Sequence, residues 1–224
     1  MAGYTSKLGY WWSATYRRKA LDRLQSQYAG YYRGVVIDIG GRDRGRFNKP
    51  KKKVDRWVFA DIEVGHKPDI VLDVMDMQGV ESGSVDVVNA IELFEHVADP
   101  RKGLGECWRV LKPRGVLAVS TPFLYPIHGD PHDYQRWTEK QWRVSLELAG
   151  FKVVHCNIMG RYFFVLADIL KDGLKQLPGL LKWLGIPLML LLDLLTVLDR
   201  SELVLKSKKL SQYHGGYFIV AKKT

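Results

Sequence analysis

Residues 35–45 read Val-Val-Ile-Asp-Ile-Gly-Gly-Arg-Asp-Arg-Gly, an apolar run that closes on an acid and then breaks into glycines. The run predicts a short buried strand, and Gly40 and Gly41 let the backbone turn sharply and approach a ligand closely. Such a turn belongs at the carboxyl end of a central parallel strand, where open α/β sheets bind nucleotide-like ligands.

The chain around this turn has 224 residues, 46% of them hydrophobic, enough for one domain with a substantial core plus an appendage. Cys107 and Cys156 fall in a helical and a strand segment, which indicates neither a disulfide framework nor a cysteine metal site and fits a reducing compartment. No apolar run followed by small residues opens the chain, so no secretory signal is expected. A net charge of +10 and a pI near 9.5 point to an acidic partner: nucleic acid, an anionic lipid surface or a phosphorylated substrate. Ser13 is expected to cap a helix running to about Gly30, with Leu21, Leu24 and Tyr28 on one face and Arg17, Arg18 and Arg23 elsewhere. Residues 42–56 form a basic loop with Arg42, Arg44, Arg46, Lys49, Lys51, Lys52, Lys53 and Arg56. It is either a solvated loop or an anion-attracting rim beside the ligand mouth.

Further strands are expected at residues 57–61, 69–73, 85–90 and 115–121, with a helix at about 101–111 closed by Lys112, Pro113 and Gly115. The second strand ends on Asp61, about 20 residues beyond Gly40, the spacing at which dinucleotide sites place an acid to bind both ribose hydroxyls. The third ends on Asp73. Alternation of short apolar strands with helical segments indicates an α/β fold, a mostly parallel sheet with helices on both faces.

Three segments then carry a resemblance: Glu-Leu-Phe-Glu-His-Val at 92–97, Arg-Val-Leu-Lys-Pro-Arg-Gly at 109–115, and the strand running into Thr121 and Pro122. With Ala149, Gly150 and Phe151, and with the run from Gly216 to Ala221, they resemble class I S-adenosylmethionine-dependent methyltransferases over roughly residues 34–158 and again at the last strand. The resemblance implies a Rossmann-like sheet whose last strand is antiparallel, and S-adenosyl-L-methionine as cofactor. Residue by residue it implies Asp38, Gly40 and Gly41 at the methionine moiety and Asp61 with Ile62 at the ribose. Asp73 and Val74 would then meet adenine, and Ala90 to Glu92 would line the cofactor beyond the fourth strand. The family usually carries further glycines after the first strand, and Arg42 and Arg44 stand in their places here.

Residues 122–138 follow the fifth strand and should project over the carboxyl edge of the sheet, held at the far end by a capping box at Thr138 to Gln141. Similar His-rich loops occur in small bacterial methyltransferases often linked with surface-glycan biosynthesis. Methyl transfer to oxygen needs alignment and a base. His128 or His132 is the expected base, oriented by Asp130 or Asp133, with His96 nearby. His128 and His132 are also four apart, but Gly129 and Pro131 argue against the helix that would bring them onto one metal, so no metal is expected.

The chain divides into an N-terminal helical segment at 1–33, a methyltransferase core at 34–159, an apolar insertion at 160–214 and a last core strand at 215–224. Within the insertion, residues 183–198 are strongly apolar but short for a bilayer span and interrupted by Pro187 and Asp193. The insertion is a lid or homo-oligomer contact, an interfacial helix on an anionic membrane surface, or a binder of a lipid-linked substrate. The expected function is methylation, at oxygen, of a small-molecule or glycan- or lipid-linked acceptor by a cytoplasmic enzyme, peripheral at the inner face of a membrane where the insertion contacts lipid. Two alternatives stand beside it: an RNA methyltransferase, against which no stacking platforms are evident, and a degenerate, membrane-associated scaffold.

Overall fold

A computed structural model describes residues 6–41, 45–129, 132–179 and 185–224 of the chain. Arg42, Arg44, Asp130, Pro131 and Trp183 lie outside the described residues. Seven strands, β1 (Gly34–Ile39), β2 (Val54–Asp61), β3 (Ile70–Val71), β4 (Val85–Ile91), β5 (Leu111–Pro122), β6 (Phe151–Ile158) and β7 (Gly216–Lys223), form one sheet in the order β3-β2-β1-β4-β5-β7-β6. The first five strands pair in parallel and β7 runs antiparallel between β5 and β6. The order reverses between β1 and β4, which opens a crevice at their carboxyl ends.

Period-2 alternation sends the strand side chains to two cores. Ile37, Ile39, Val88, Ala90, Leu117 and Val119 pack with Leu104 and Cys107 of α3 (Pro100–Val110) and Trp142 and Leu146 of α4 (Glu139–Leu148). Val36, Val87, Val116 and Ala118 face the other way, onto Tyr16, Ala20 and Leu21 of α2 (Tyr16–Gln27). Thr138 caps α4 by accepting from Gln141 N–H, while the Gln141 amide turns to Ser145 rather than back to the cap. Gly150, at φ +86°, ends that helix in the left-handed conformation.

The N-terminus differs from expectation. Ser13 ends a first helix, α1 (Lys7–Ser13), and the cap of α2 is Thr15, whose side chain accepts from Arg18 N–H. With this start Arg17, expected away from the apolar face, lies on the inward face, 5% exposed. The third strand shortens to two residues because Asp73 leaves the ladder to bond the Met75 N–H.

Residues 160–214 are knitted onto the second core through α5 (Tyr162–Lys175) and α6 (Gly185–Val197), with a short α7 (Glu202–Leu205) after them. Phe164, Ala167, Met189 and Leu192 complete the apolar layer over the sheet. Three acids of this region reach back across the sequence. Asp168 accepts from the Tyr16 and Arg17 N–H groups at the start of α2, and Asp199 accepts from the Arg161 and Phe163 N–H groups at the start of α5. Asp193 accepts from the Trp11 indole and the Tyr16 hydroxyl, 2.7 Å each, so the acid interrupting the apolar run is what fastens α6 to the N-terminal helices.

Candidate active site

The crevice is built around Asp38. Its carboxylate is 2% exposed and accepts from Asn89 Nδ2 at 2.6 Å, and Asn89 in turn accepts from the Tyr32 hydroxyl at 2.8 Å. Lys49, from the basic loop, lies 3.3 Å from the second Asp38 oxygen, so one cation of that loop turns inward. Gly40 takes φ +68° and gives its N–H to Ala60 O, which closes the turn against β2. A Cβ on Gly41 would fall 2.0 Å from the Asp38 carboxyl carbon, so the second glycine is required by close packing against the acid itself. Beside the turn a recess is lined by Arg18, Asp22, Asp38, Lys49, Asn89 and Glu92.

That donor set suits the amino-acid end of S-adenosylmethionine. A zwitterion needs acceptors for an ammonium and cations for a carboxylate, and both classes line the recess. The Asp22 Oδ1 oxygen is buried there with no hydrogen-bond partner among the described residues. At the end of β2, Asp61 is buried, with Oδ1 accepting from Glu63 N–H and Oδ2 at 3.0 Å from His66 Nδ1. Each carboxylate oxygen has a second lone pair for a ribose hydroxyl. Ile62 is 62% exposed beside it, whereas Val74 and Ala90 are core side chains that offer only backbone to a ligand. The half-buried Asp73 shapes the turn after β3.

Past β4 the chain turns through Glu92, a non-glycine residue at φ +53°. Its carboxylate accepts from the Ser120 hydroxyl and pairs with the buried Arg17 guanidinium. Burial alone would push Glu92 up, but Arg17 and then Arg18 hold it below the ordinary carboxylate range. Arg17 also lies over the Tyr125 ring at 4.1 Å. The N-terminal helix thus reaches both the strand end and the His-rich loop, a contact that the helix start at Thr15 decides.

Of the expected catalytic residues, His128 stands beside His96, with rings edge-to-face at 5.0 Å, and beside Tyr125. Asp133 braces the loop, and its Oδ2 lies 3.4 Å from Nδ1 of His128, the histidine it was expected to orient. It accepts from the His128 backbone N–H and pairs with Arg136, whose hydrogen bonds draw its acid down to about 2. The His132 ring lies against Tyr134, and its contribution to the cluster is a backbone carbonyl accepting from His96 Nδ1. Glu95 completes the group: it is 1% exposed, and burial followed by the charge of Glu92 raises its carboxyl well above the ordinary range. Sequence reasoning missed Glu95, Asp22 and Arg17. For Glu95 a signal was present, since it sits in the quoted 92–97 run between Glu92 and His96.

The family described as a methyltransferase domain matches residues 23–119. Methyltransferase ucsB of Acremonium sp is 33% identical over 115 residues, which is 43% of this chain and 38% of that protein. A ubiquinone biosynthesis O-methyltransferase of Xanthomonas oryzae pv. oryzae is 43% identical over 51 residues, 23% of this chain and 21% of that protein. The chain thus matches well under half the length of these curated relatives. Among solved structures, a SAM-dependent methyltransferase from Archaeoglobus fulgidus aligns with TM-score 0.55 at 16% identity, covering 92% of this chain and 94% of that one. The [4+2]-cyclase SpnF aligns with TM-score 0.58 at 18% identity, covering 92% and 81%. At such identities the structural likeness speaks for the fold alone, which can host different chemistries. Together with the turn built on Asp38, Gly40 and Gly41, these findings show a methyltransferase domain match over residues 23–119, set in a fold like that of class I S-adenosylmethionine-dependent methyltransferases.

Proposed function

We propose that the protein transfers a methyl group from S-adenosylmethionine to a hydroxyl oxygen of a small-molecule or glycan- or lipid-linked acceptor. The cofactor, when bound, supplies an electrophilic methyl on a sulfonium. Asp38, Asp22, Arg18 and Lys49 would hold its amino-acid end and Asp61 its ribose. The observation that carries the oxygen reading is the arrangement of His96, His128 and Glu95 just beyond Glu92. Each imidazole sets its Nδ1 against a backbone carbonyl, His132 O for His96 and Pro126 O for His128, which fixes the proton on Nδ1 and leaves the Nε2 lone pairs for an acceptor hydroxyl. The relative named as an O-methyltransferase supports the same reading. A lipid-linked acceptor is favoured by α6, whose Leu190, Leu191, Leu194 and Val197 are exposed, as is Leu198 just after it. No helix is long and apolar enough to cross a membrane among the described residues.

Calorimetric titration with S-adenosylmethionine and with S-adenosylhomocysteine tests the cofactor site. We expect micromolar binding, weakened by about 1.5–3 kcal/mol in Asp61→Ala, the range for hydrogen bonds to a charged group. No binding at millimolar ligand by folded protein would overturn the methyltransferase reading, and unchanged affinity in Asp61→Ala would remove the ribose assignment.

A further inference from the structure

We propose that Glu95, His96 and His128 form a binding site for a divalent metal ion of the zinc class. Their donor atoms, one from each residue, all lie within 4.8 Å of one another. An ion held at about 2.0–2.1 Å in tetrahedral geometry needs its ligands roughly 3.3 Å apart. His128 is the ligand placed to close that gap, because it sits on a loop and its side chain is 35% exposed.

Three further features fit a cation better than a bare loop. First, both Glu95 oxygens are buried without a hydrogen-bond partner among the described residues, the nearest basic atom being His96 Nε2 at 3.8 Å. An orphaned buried carboxylate is costly, and metal coordination satisfies it. Second, the neighbouring guanidiniums are engaged elsewhere, Arg17 with Glu92 and Arg136 with Asp133, so neither closes on the Glu95 oxygens. Third, metal-ligating histidines commonly donate their other ring N–H to a backbone carbonyl, which orients the ring and fixes the tautomer. Here His96 Nδ1 does so to His132 O and His128 Nδ1 to Pro126 O.

Two imidazoles and one carboxylate make a three-ligand set of the kind that leaves coordination positions open. An acceptor hydroxyl in an open position would lose its proton to solvent on coordination and present an oxygen lone pair toward the crevice beyond Glu92. That role rests on the methyltransferase reading, whereas ion binding does not. Both imidazoles would then serve as ligands, and the ion would be the agent that activates the hydroxyl.

The test uses the full chain stripped with a chelator and titrated with Zn²⁺ by calorimetry and with Co²⁺ by visible absorption. We expect one ion per chain with low-coordinate Co²⁺ bands. His128→Ala and Glu95→Gln should each weaken binding at least tenfold with unchanged circular dichroism, and His132→Ala, which keeps its carbonyl, should bind as the parent does. No saturable binding, or binding indifferent to both His128→Ala and Glu95→Gln, overturns the proposal. S-adenosylmethionine is titrated into the same preparation. Cofactor binding without metal binding sinks only the metal site, and metal binding without cofactor binding sinks only the methyltransferase reading.

Discussion

Two buried basic side chains, an arginine and a lysine, take opposite roles. Arg17 is paired with Glu92, and their side chains are 6% and 7% exposed. Removing one partner of a buried pair strands the other charge, so Arg17→Met should cost about 3–5 kcal/mol in urea unfolding. Adding Glu92→Gln should recover a large part of that loss, because the double variant carries no stranded charge. Additive losses would show that Arg17 stabilises by packing on Tyr125 instead. Lys171 is fully buried and donates to the Trp11 and Ala14 carbonyls, with no carboxylate on its ammonium among the described residues. Burial, followed by the charges of Lys19 and Lys175, brings it down to about 7, against the opposing pull of Asp168. Between about pH 7 and the ordinary lysine value the unfolded chain then holds more protons than the folded one, so stability rises with pH. The slope approaches 1.4 kcal/mol per pH unit at most. Below that window both states hold the proton and the penalty is complete. The stability difference between the parent and Lys171→Met should therefore move in the parent's favour from neutral to alkaline pH, and a flat difference would mean that Lys171 stays charged when folded.

At the scale of elements, what the sequence disclosed was what local pattern decides. The strand before Gly40, the strands ending near Asp61 and Ala90, the helix before Lys112 and the cap at Thr138 are set by runs of neighbouring residues, and the structure places each within a few positions of expectation. Asp38, Gly40 and Asp61 were legible for the same reason, since strand-end acids and turn glycines announce themselves by position. The interruptions of the apolar 160–214 region were legible only as interruptions. Asp168 caps a helix that starts 152 residues earlier, and Asp193 binds an indole 182 residues away, pairings that no local window contains. On residue type Ser13 was a slightly better cap than Thr15. Tertiary packing chose Thr15, because starting α2 there turns Arg17 toward Glu92 and lets Asp168 reach the first N–H groups. The His-rich loop was partly readable: its residue types drew attention to the loop, but which histidine enters the cluster depends on the bracing of Asp133 by Arg136, which places the His128 backbone and leaves the His132 ring at Tyr134.

The whole molecule poses a question of balance between its two faces. On α6, Met189 and Leu192 point into the core and Asp193 fastens the helix to α1 and α2, so this side is fully engaged. Leu190, Leu191, Leu194 and Val197 recur at helical spacing on the opposite side, Leu198 follows in the next turn of chain, and all five are 44–67% exposed. A contiguous apolar stripe of this kind marks a surface that meets lipid or another protein. Nearby, Lys206, Lys208 and Lys209 follow α7, and the chain as a whole carries +10. Apolar insertion and attraction to anionic headgroups reinforce each other, each basic residue near the surface contributing roughly 1 kcal/mol at low salt. The protein should therefore co-sediment with vesicles containing anionic lipid, more weakly with neutral ones, and less as salt rises and the Debye length shortens. Leu191→Glu with Leu194→Glu should abolish the binding while leaving the folded core intact, because neither side chain contributes to it. If the stripe instead covers a second copy of the chain, vesicles will not retain the protein, and the same double substitution will convert a concentration-dependent dimer into a monomer in sedimentation velocity. The two outcomes separate cleanly because only the first depends on headgroup charge.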